Sequence, residues 1–227
     1  MRGCRVRCAA LILLAVIAPV ARAGHVFPPE IDLLDPAPLT RVVIDGPFEG
    51  SHLGGSVASA GDLNGDGIDD LVMSTGHDAA GSFPNGVSYV VFGDPAIQEL
   101  GPIDLATLDG SRGFAMSAVN MGVLDGHSVA GVGDFNGDGF DDVIVSGYEE
   151  SEAPRRLTCY LVFGARDIGA GGSIDLASLD GTNGVVLRGY MGYLSGVRVS
   201  RAGDVNHDGH EDLLIAAPFL SPHGRHG

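Results

Sequence analysis

The sequence contains no tryptophan and no lysine, so arginine alone supplies its 13 basic residues. Against these stand 29 acidic residues, which give a formal net charge of −16 at pH 7. A surface of this sign repels phosphate backbones, which excludes nucleic acid as a partner. It also repels anionic membranes unless a cation bridges the two. Without lysine, a phosphate-binding glycine loop of the nucleotide-hydrolase kind is excluded as well.

Long apolar runs are equally scarce. The main one, Ala9–Val20, is too short to cross a bilayer comfortably as a helix. Three arginines precede it and Ala21-Arg22-Ala23 follows it, an arrangement typical of a secretory signal peptide rather than an uncleaved anchor. We predict cleavage after Ala23, which makes residues 1–23 a signal peptide and the mature chain secreted, either extracellular or periplasmic, with no transmembrane segment. Cleavage would leave nine arginines against 29 acidic residues, a net charge of −20.

The chain has three cysteines. Cys4 and Cys8 belong to the predicted signal peptide, so the mature chain would keep Cys159 alone and could form no intramolecular disulfide. Cys159 lies in the apolar run TCYLVFG, which favours a buried thiol over one that pairs between chains.

Motifs of hydrolytic chemistry are also missing: the sequence has no G-x-S-x-G and no H-E-x-x-H, and it lacks the Arg-Gly-Asp ligand sequence. His52, His77 and His127 lie at predicted loops and have no partner at a fixed spacing. We therefore predict no catalytic residues and no enzyme activity.

Glycine, by contrast, is abundant at 36 residues. One acidic motif occurs three times in the sequence. It reads GDLNGDGIDDLVMSTG, then GDFNGDGFDDVIVSG, then GDVNHDGHEDLLIAA; the first aspartates, Asp62, Asp134 and Asp204, lie 72 and 70 residues apart. Other landmarks keep the same spacing, since YVVFG returns as YLVFG, and PIDLATLDGSRGF returns as SIDLASLDGTNGV. Landmarks in fixed order and phase indicate an internal repeat.

Each complete repeat holds four short apolar runs bounded by Gly, Asp or Pro, which favour buried strands over helices. Four strands per repeat is the composition of a β-propeller blade, so we predict an all-β, propeller-like fold. The predicted strands are Ser56–Gly61, Asp70–Ser74, Gly86–Gly93 and Gly113–Ala118 in the first repeat, and Ser128–Gly133, Asp142–Ser146, Leu157–Gly164 and Val185–Gly189 in the second.

The predicted propeller covers residues 41–218, with units of about 51–122 and 123–193 and a partial unit of 194–218. Arg41–Asp45 is the last strand of an earlier repeat, residues 24–40 are a linker, and 219–227 are a disordered tail. About three blades fall short of the usual four to eight. A fragment, a broken reading frame and a protomer that completes itself by self-association all stay open as explanations.

The acidic stretches carry oxygen side chains at positions 1, 3, 5 and 9, counted from the first aspartate. Position 6 is always glycine, which permits a sharp turn, and position 7 can offer a backbone carbonyl. Five or more oxygens and no nitrogen or sulfur favour Ca²⁺ over Mg²⁺ or Zn²⁺. Position 12 is apolar, which excludes an EF-hand. The predicted ligands of up to three Ca²⁺ ions are Asp62, Asn64, Asp66, Ile68 and Asp70; Asp134, Asn136, Asp138, Phe140 and Asp142; and Asp204, Asn206, Asp208, His210 and Asp212.

Counting position 8, each loop holds four carboxylates, and the three loops together hold 12 of the 29 acidic residues. A dication in each loop would offset this repulsion, so we predict that metal binding and folding are coupled.

The loop followed by YVVFG resembles the FG-GAP repeat of integrin α-subunit propellers and of many exported bacterial proteins. The FG letters are Phe92-Gly93 and Phe163-Gly164, and the GAP letters are recognisable only as Ala216-Ala217-Pro218. The resemblance implies a propeller that is seven-bladed in complete members, Ca²⁺ between the first two strands of a blade, and extracellular binding or adhesion. The chain departs in its low repeat number and in His207, which replaces a glycine and could strain or weaken the third site.

From these observations we predict an exported calcium-binding scaffold that binds an extracellular protein or glycan. The alternatives are a truncated or accessory propeller fragment without independent activity, and the non-catalytic part of an extracellular hydrolase. The loop tips differ between repeats, so the sequence does not predict the chemistry of the partner.

Overall fold

A computed structural model of the chain describes residues 12–16, 40–75, 86–118, 128–149, 156–191 and 198–216. All regular elements in these ranges are strands apart from two single turns of 3-10 helix, Leu105–Thr107 and Leu176–Ser178. The predicted all-β fold is therefore confirmed. The described residues include no helix that is long and apolar enough to cross a membrane. The predicted cleavage site, the tail and nearly all of the predicted linker lie outside the described residues.

The strands are numbered along the chain. They are β1 (Ile12–Val16), β2 (Thr40–Asp45), β3 (Leu53–Gly61), β4 (Asp70–Thr75), β5 (Ser88–Val91), β6 (Ile103–Asp104), β7 (Gly113–Ser117), β8 (Ser128–Gly133), β9 (Asp142–Glu149), β10 (Arg156–Val162), β11 (Ser173–Asp175), β12 (Gly184–Met191), β13 (Arg198–Gly203) and β14 (Asp212–Ala216).

The chain divides into two compact units, of which the smaller comprises Met1–Ser51 and Asp94–Thr107. Its sheet has the order β1-β2-β6, with β1 antiparallel and β6 parallel to β2. Ile44 and Ile103, which are paired in this sheet, are both buried. Because β1 lies within the predicted signal peptide, cleavage after Ala23 would remove it and leave β2 paired with β6.

The larger unit, His52–Gly93 with Leu108–Gly227, contains the predicted blades. The first blade is β3-β4-β5-β7, the second is β8-β9-β10-β12, and β13 and β14 form a two-stranded third sheet. The strands of each blade pair in an antiparallel manner in chain order. Each predicted set of four strands therefore forms one sheet. One buried cluster joins the first blade to the second, and another joins the second blade to the third sheet.

Three strands were not predicted: β1, which lies in the predicted signal peptide, and the short strands β6 and β11. Strand β11 belongs to the second repeat but pairs in parallel with β7, the last strand of the first blade, where Ile174 lies opposite Met116. Strand β6 makes the same parallel pairing with β2 in the smaller unit, where Ile103 lies opposite Ile44. Each short strand therefore extends the sheet that ends the preceding repeat.

The first strands of successive blades lie side by side. The Ser56 hydroxyl on β3 accepts a 3.1 Å hydrogen bond from the Val129 N–H on β8. One repeat later, the Ser128 hydroxyl accepts a 3.3 Å bond from the Val199 N–H on β13. Gly131 permits the close approach, because a Cβ there would lie 2.6 Å from the carbonyl oxygen of Ser59. The blades are thus joined in series, and the acidic stretches follow these same first strands.

Candidate metal centres

Three loops join the first strand of a blade to the second, and we call them loop 1 (Asp62–Asp70), loop 2 (Asp134–Asp142) and loop 3 (Asp204–Asp212). In loop 1 the Asp62 carboxylate accepts the N–H groups of Asp66 and Gly67 at 2.9 and 2.8 Å. The Asn64 carbonyl oxygen accepts the Asp66 N–H at 2.9 Å, and the Asp66 carboxylate accepts the Ile68 N–H at 2.9 Å. The side chains at positions 1, 3 and 5 therefore all turn towards the backbone of their own loop.

Loops 2 and 3 repeat these four hydrogen bonds at the equivalent positions, with lengths from 2.8 to 3.1 Å. Position 6 has a positive φ in every loop: 87° at Gly67, 94° at Gly139 and 88° at Gly209. This is the left-handed region that glycine adopts without steric cost, as the sequence pattern predicts. One backbone geometry is thus built three times.

Position 4 is also left-handed, with φ of 73° at Gly65 and 76° at Gly137. In loop 3 the residue is His207, and its φ of 60° places a side chain where glycine is favoured. The histidine therefore keeps the loop geometry at a cost in backbone strain.

The donor chemistry at positions 1, 3 and 5 fits a hard cation. The groups are carboxylate and amide oxygens, and an oxygen that accepts one N–H keeps a second lone pair. Within the described ranges, no three carboxylate, imidazole or thiol groups form a metal cluster by themselves. The predicted set in each loop also uses an asparagine oxygen and a backbone carbonyl. The 15 predicted ligands stay a prediction.

The aspartate at position 9 connects its loop to another part of the blade. Asp70 is fully buried, and its two carboxylate oxygens accept the N–H groups of Leu63 at 3.0 Å and Gly93 at 2.8 Å. Asp142 accepts the N–H groups of Phe135 and Gly164, each at 2.9 Å. This carboxylate therefore links loops 1 and 2 to the FG glycine at the end of the third strand of their blades.

Burial raises the pKa of both Asp70 and Asp142 to about 6, although the backbone N–H groups that each accepts oppose the shift. Loss of hydration disfavours the charged form of a carboxyl group, and a nearby cation favours it. In loop 3, Asp212 accepts the Val205 N–H at 2.8 Å and is only partly buried. A cation beside either buried carboxylate would therefore favour its charged form.

The FG glycines contact the loops directly. A Cβ on Gly93 would lie 2.5 Å from the carbonyl oxygen of Asp69 and 2.5 Å from the Cγ2 of Ile68. A Cβ on Gly164 would collide with the carbonyl oxygen of Asp141. Sequence reasoning recognised the FG letters but missed this role. The signal was the nearly constant separation of 23 and 22 residues between the buried aspartate and the FG glycine.

Other predicted features have mixed outcomes. Cys159 is buried on β10, as predicted, and burial raises the pKa of its thiol to about 12. His52 is exposed with a φ of 50°. His77 and His127 lie outside the described residues, as does Pro218 of the GAP letters.

Comparison with known proteins agrees with this geometry. The family profile described as FG-GAP repeat matches residues 126–153 and 197–226, which contain loops 2 and 3. This chain is an FG-GAP repeat protein. Loop 1 lies outside the matched ranges, but its hydrogen bonds are the same as those of loops 2 and 3.

Relatives of this FG-GAP repeat protein include two integrin α-subunits. Integrin alpha-IIb of Homo sapiens is 34% identical over 147 residues, which cover 62% of this chain and 13% of that protein. Integrin alpha-4 of Xenopus laevis is 29% identical over 177 residues, or 76% of this chain and 15% of that protein. Phosphatidylinositol-glycan-specific phospholipase D of Dictyostelium discoideum is 30% identical over 191 residues, or 77% and 19%. The chain thus spans less than a fifth of each relative's length.

Proposed function

We propose that the chain is an exported, calcium-binding FG-GAP scaffold that presents its blades to an extracellular protein or glycan. The observation that carries the proposal is the identical hydrogen-bond pattern of the three loops. In every loop it gathers the carboxylate and amide oxygens at positions 1, 3 and 5 against one short stretch of backbone, which supports an oxygen-ligated cation.

In this proposal the ligands are those predicted from the sequence, with the carbonyl groups of Ile68, Phe140 and His210 at position 7. Bound Ca²⁺ would supply positive charge among the four carboxylates of each loop. The chain's own residues shape the site: position 6 forms the turn in every loop, and position 9 fixes loops 1 and 2 to the third strand of their blades.

Calorimetry on the chelator-stripped protein tests calcium binding. We expect up to three sites that fill at or below millimolar Ca²⁺ in near-physiological salt, weaker binding of Mg²⁺, and a rise in melting temperature as the sites fill. The variant Asp134→Ala should lose one site. The variant Asp180→Ala removes the same charge from an exposed turn outside the loops and should keep every site. Absence of both heat and thermal stabilisation at millimolar Ca²⁺ would contradict the proposal.

The proposed partner is an extracellular protein or glycan, which is supported by the similarity to two proteins named as integrin α-subunits. Binding of the mature chain to arrays of matrix proteins and glycans, with and without chelator, tests it. We expect binding that chelation abolishes, that added Ca²⁺ restores and that Asp134→Ala weakens more than Asp180→Ala. A chain that takes up Ca²⁺ but binds nothing on either array would favour the accessory fragment without independent activity.

Similarity to a relative named as a phospholipase D favours a second candidate, the non-catalytic part of an extracellular hydrolase. Under either candidate we propose that these repeats have no catalysis of their own. Assays of phosphodiester and glycosidic substrates should give no turnover above that of a buffer control. Turnover that follows the protein through purification would overturn this statement.

Self-association remains a prediction, and the exposed first strand of the first blade is the surface that we propose for it. Val57 on β3 is 56% exposed, whereas its equivalents Val129 and Val199 are 4% and 6% exposed because a preceding blade covers each of them. A second copy of the chain could cover Val57 in the same way. Light scattering of the mature chain should then give more than the monomer mass, and Val57→Asp should restore the monomer.

A further inference from the structure

Loop 2 is seated on loop 1 through one residue that is not among the predicted ligands. Asp141 occupies position 8, and its carboxylate accepts the Asp62 N–H at 2.8 Å. The Asp141 N–H in turn donates to the Asp62 carbonyl oxygen at 3.1 Å. Both bonds join residues 79 positions apart in the sequence, and both hold the backbone of the first predicted ligand of loop 1.

The neighbours of Asp141 strengthen this contact. A Cβ on Gly65 would lie 2.5 Å from the Cε1 atom of Phe140, so the aromatic ring rests against position 4 of loop 1. A Cβ on Gly61 would collide with the Asp141 carboxylate itself. The segment that carries the last two predicted ligands of loop 2, Phe140 and Asp142, therefore packs on the segment that begins loop 1.

Loops 2 and 3 have the equivalent residues but a looser contact. Glu211 replaces the aspartate at position 8, and both of its carboxylate oxygens accept hydrogen bonds from Arg201 on the adjacent strand β13, with 2.6 Å between Nε and Oε2. Among the described residues, no hydrogen bond equivalent to either Asp141–Asp62 bond joins Glu211 to Asp134. The His210 ring lies 4.0 Å from a Cβ built on Gly137, an ordinary contact rather than a tight one.

We propose that loops 1 and 2 bind Ca²⁺ as a coupled pair through Asp141, whereas loop 3 binds independently. The inference rests on the proposed calcium-binding function. A filled loop 2 fixes Phe140 and Asp142 on either side of Asp141, and Asp141 then holds Asp62 in place. Binding in one loop orders the shared contact, so binding in the other loop no longer has to overcome the entropy cost of ordering it. Each loop therefore raises the calcium affinity of the other.

A mutant cycle on the mature chain tests the coupling. Calcium titrations followed by the amide resonances of Gly67, Gly139 and Gly209 report the three loops separately. Disabling loop 2 with Asp134→Ala should weaken calcium binding in loop 1 by about fivefold to tenfold, a usual size for coupling between sites. In the Asp141→Ala variant, adding Asp134→Ala should weaken calcium binding in loop 1 by less than about half of the factor seen in the parent chain. Asp138→Ala disables loop 2 at a second position and should give the same result.

Matched variants separate coupling from damage to the fold. Asp69→Ala removes the position 8 carboxylate of loop 1 and should leave the dependence of loop 1 on Asp134→Ala unchanged. Asp204→Ala disables loop 3 and should leave loop 2 within about twofold. Asp141→Asn keeps an oxygen acceptor and should retain more coupling than Asp141→Ala. Each variant should keep the far-ultraviolet circular dichroism of the parent.

Three results would overturn the inference. The first is a loop 1 affinity that Asp134→Ala does not change, and the second is a loop 1 affinity that Asp134→Ala lowers equally in the parent and in Asp141→Ala. The third is a loop 2 affinity that Asp204→Ala lowers as much as Asp134→Ala lowers the affinity of loop 1. If the parent chain binds no Ca²⁺ in any loop, the proposed function fails and the coupling fails with it. If all three loops bind but titrate independently, the coupling alone is wrong.

Discussion

The backbone N–H of Gly93 donates a 2.8 Å hydrogen bond to the buried carboxylate of Asp70, 23 residues earlier in the chain. Gly164 and Asp142 form the same pair in the second blade at 2.9 Å. The end of each third strand is thereby fixed to the end of its acidic loop. The contact gives the FG letters a physical meaning, because a side chain at the glycine would displace the loop that it holds.

Substitution of either FG glycine by alanine should destabilise the fold. The added Cβ of Gly93→Ala would meet the Asp69 carbonyl oxygen and the Ile68 side chain at 2.5 Å, and overpacking of this kind costs about 1–3 kcal/mol. Urea unfolding followed by circular dichroism measures the loss. Gly171→Ala is the control, since a Cβ there meets nothing within 4 Å and should change the free energy of unfolding by less than about 0.5 kcal/mol. Equal losses in the two variants would contradict the contact.

Replacing His207 by glycine should stabilise the protein. Its φ of 60° is in the left-handed region, where a non-glycine residue is strained by about 1 kcal/mol. We expect His207→Gly to raise the free energy of unfolding by up to about 1 kcal/mol, partly offset by the greater freedom of the unfolded chain. The reverse change, Gly65→His, should be strongly destabilising because Phe140 occupies the space beside Gly65. A neutral result for Gly65→His would show that the two loops are not in contact.

The thiol of Cys159 should resist alkylation in the folded protein. Burial raises its pKa to about 12, so at pH 8 the group is neutral as well as inaccessible, and only the thiolate is a strong nucleophile. Mass spectrometry after iodoacetamide treatment should find the native mature chain unlabelled and the urea-unfolded chain labelled once. If Ca²⁺ stabilises the fold, labelling at intermediate urea should slow when Ca²⁺ is added. Cys159→Ser supplies the blank, and rapid labelling without denaturant would contradict the burial.

The exported protein should begin at Gly24. A small-x-small sequence ends at Ala23, and the apolar run before it has the length of a signal peptide. Intact mass and N-terminal sequencing of the secreted material would check this. Ala23→Arg should block processing at this bond, and a secreted chain that still begins at Met1 would show that the prediction is wrong.

Much of the blade architecture could be predicted because its signals are local. Strand β8, Ser128–Gly133, has the predicted bounds, and β4 extends the predicted Asp70–Ser74 by one residue. An acidic loop follows β8 and another precedes β4, so the sequence marks one end of each strand clearly. The repeated loop pattern also predicted the left-handed glycine at position 6 correctly in all three loops.

The unpredicted features all depend on residues in another repeat or another strand. Strands β6 and β11 have two and three residues, too few to show a strand's alternation, and each pairs with the last strand of the preceding repeat. The contact of Asp141 with Asp62 spans 79 residues and exists only once two blades are packed. The loop pattern singled out Asp70 as a predicted ligand but not its hydrogen bond to Gly93, because that bond depends on where the third strand of the blade ends.

Removing the serine hydroxyls between blades should weaken each junction separately. Ser56 and Ser128 accept the N–H groups of Val129 and Val199, which are nearly buried, and a buried N–H without an acceptor costs about 1–3 kcal/mol. We expect Ser56→Ala and Ser128→Ala each to lose about 1–2 kcal/mol of unfolding free energy.

Because Ser128 directly precedes Val129, the donor to Ser56, the double variant measures whether the two junctions are coupled, and additive losses would show that they are independent. The exposed Ser200, whose hydroxyl bonds its sequence neighbour, provides the control, and Ser200→Ala should be nearly neutral. Because Ser128 is more buried than Ser56 although its bond is longer, equal losses would indicate that burial and bond length offset each other. Losses no greater than that of Ser200→Ala would mean that apolar packing alone joins the blades.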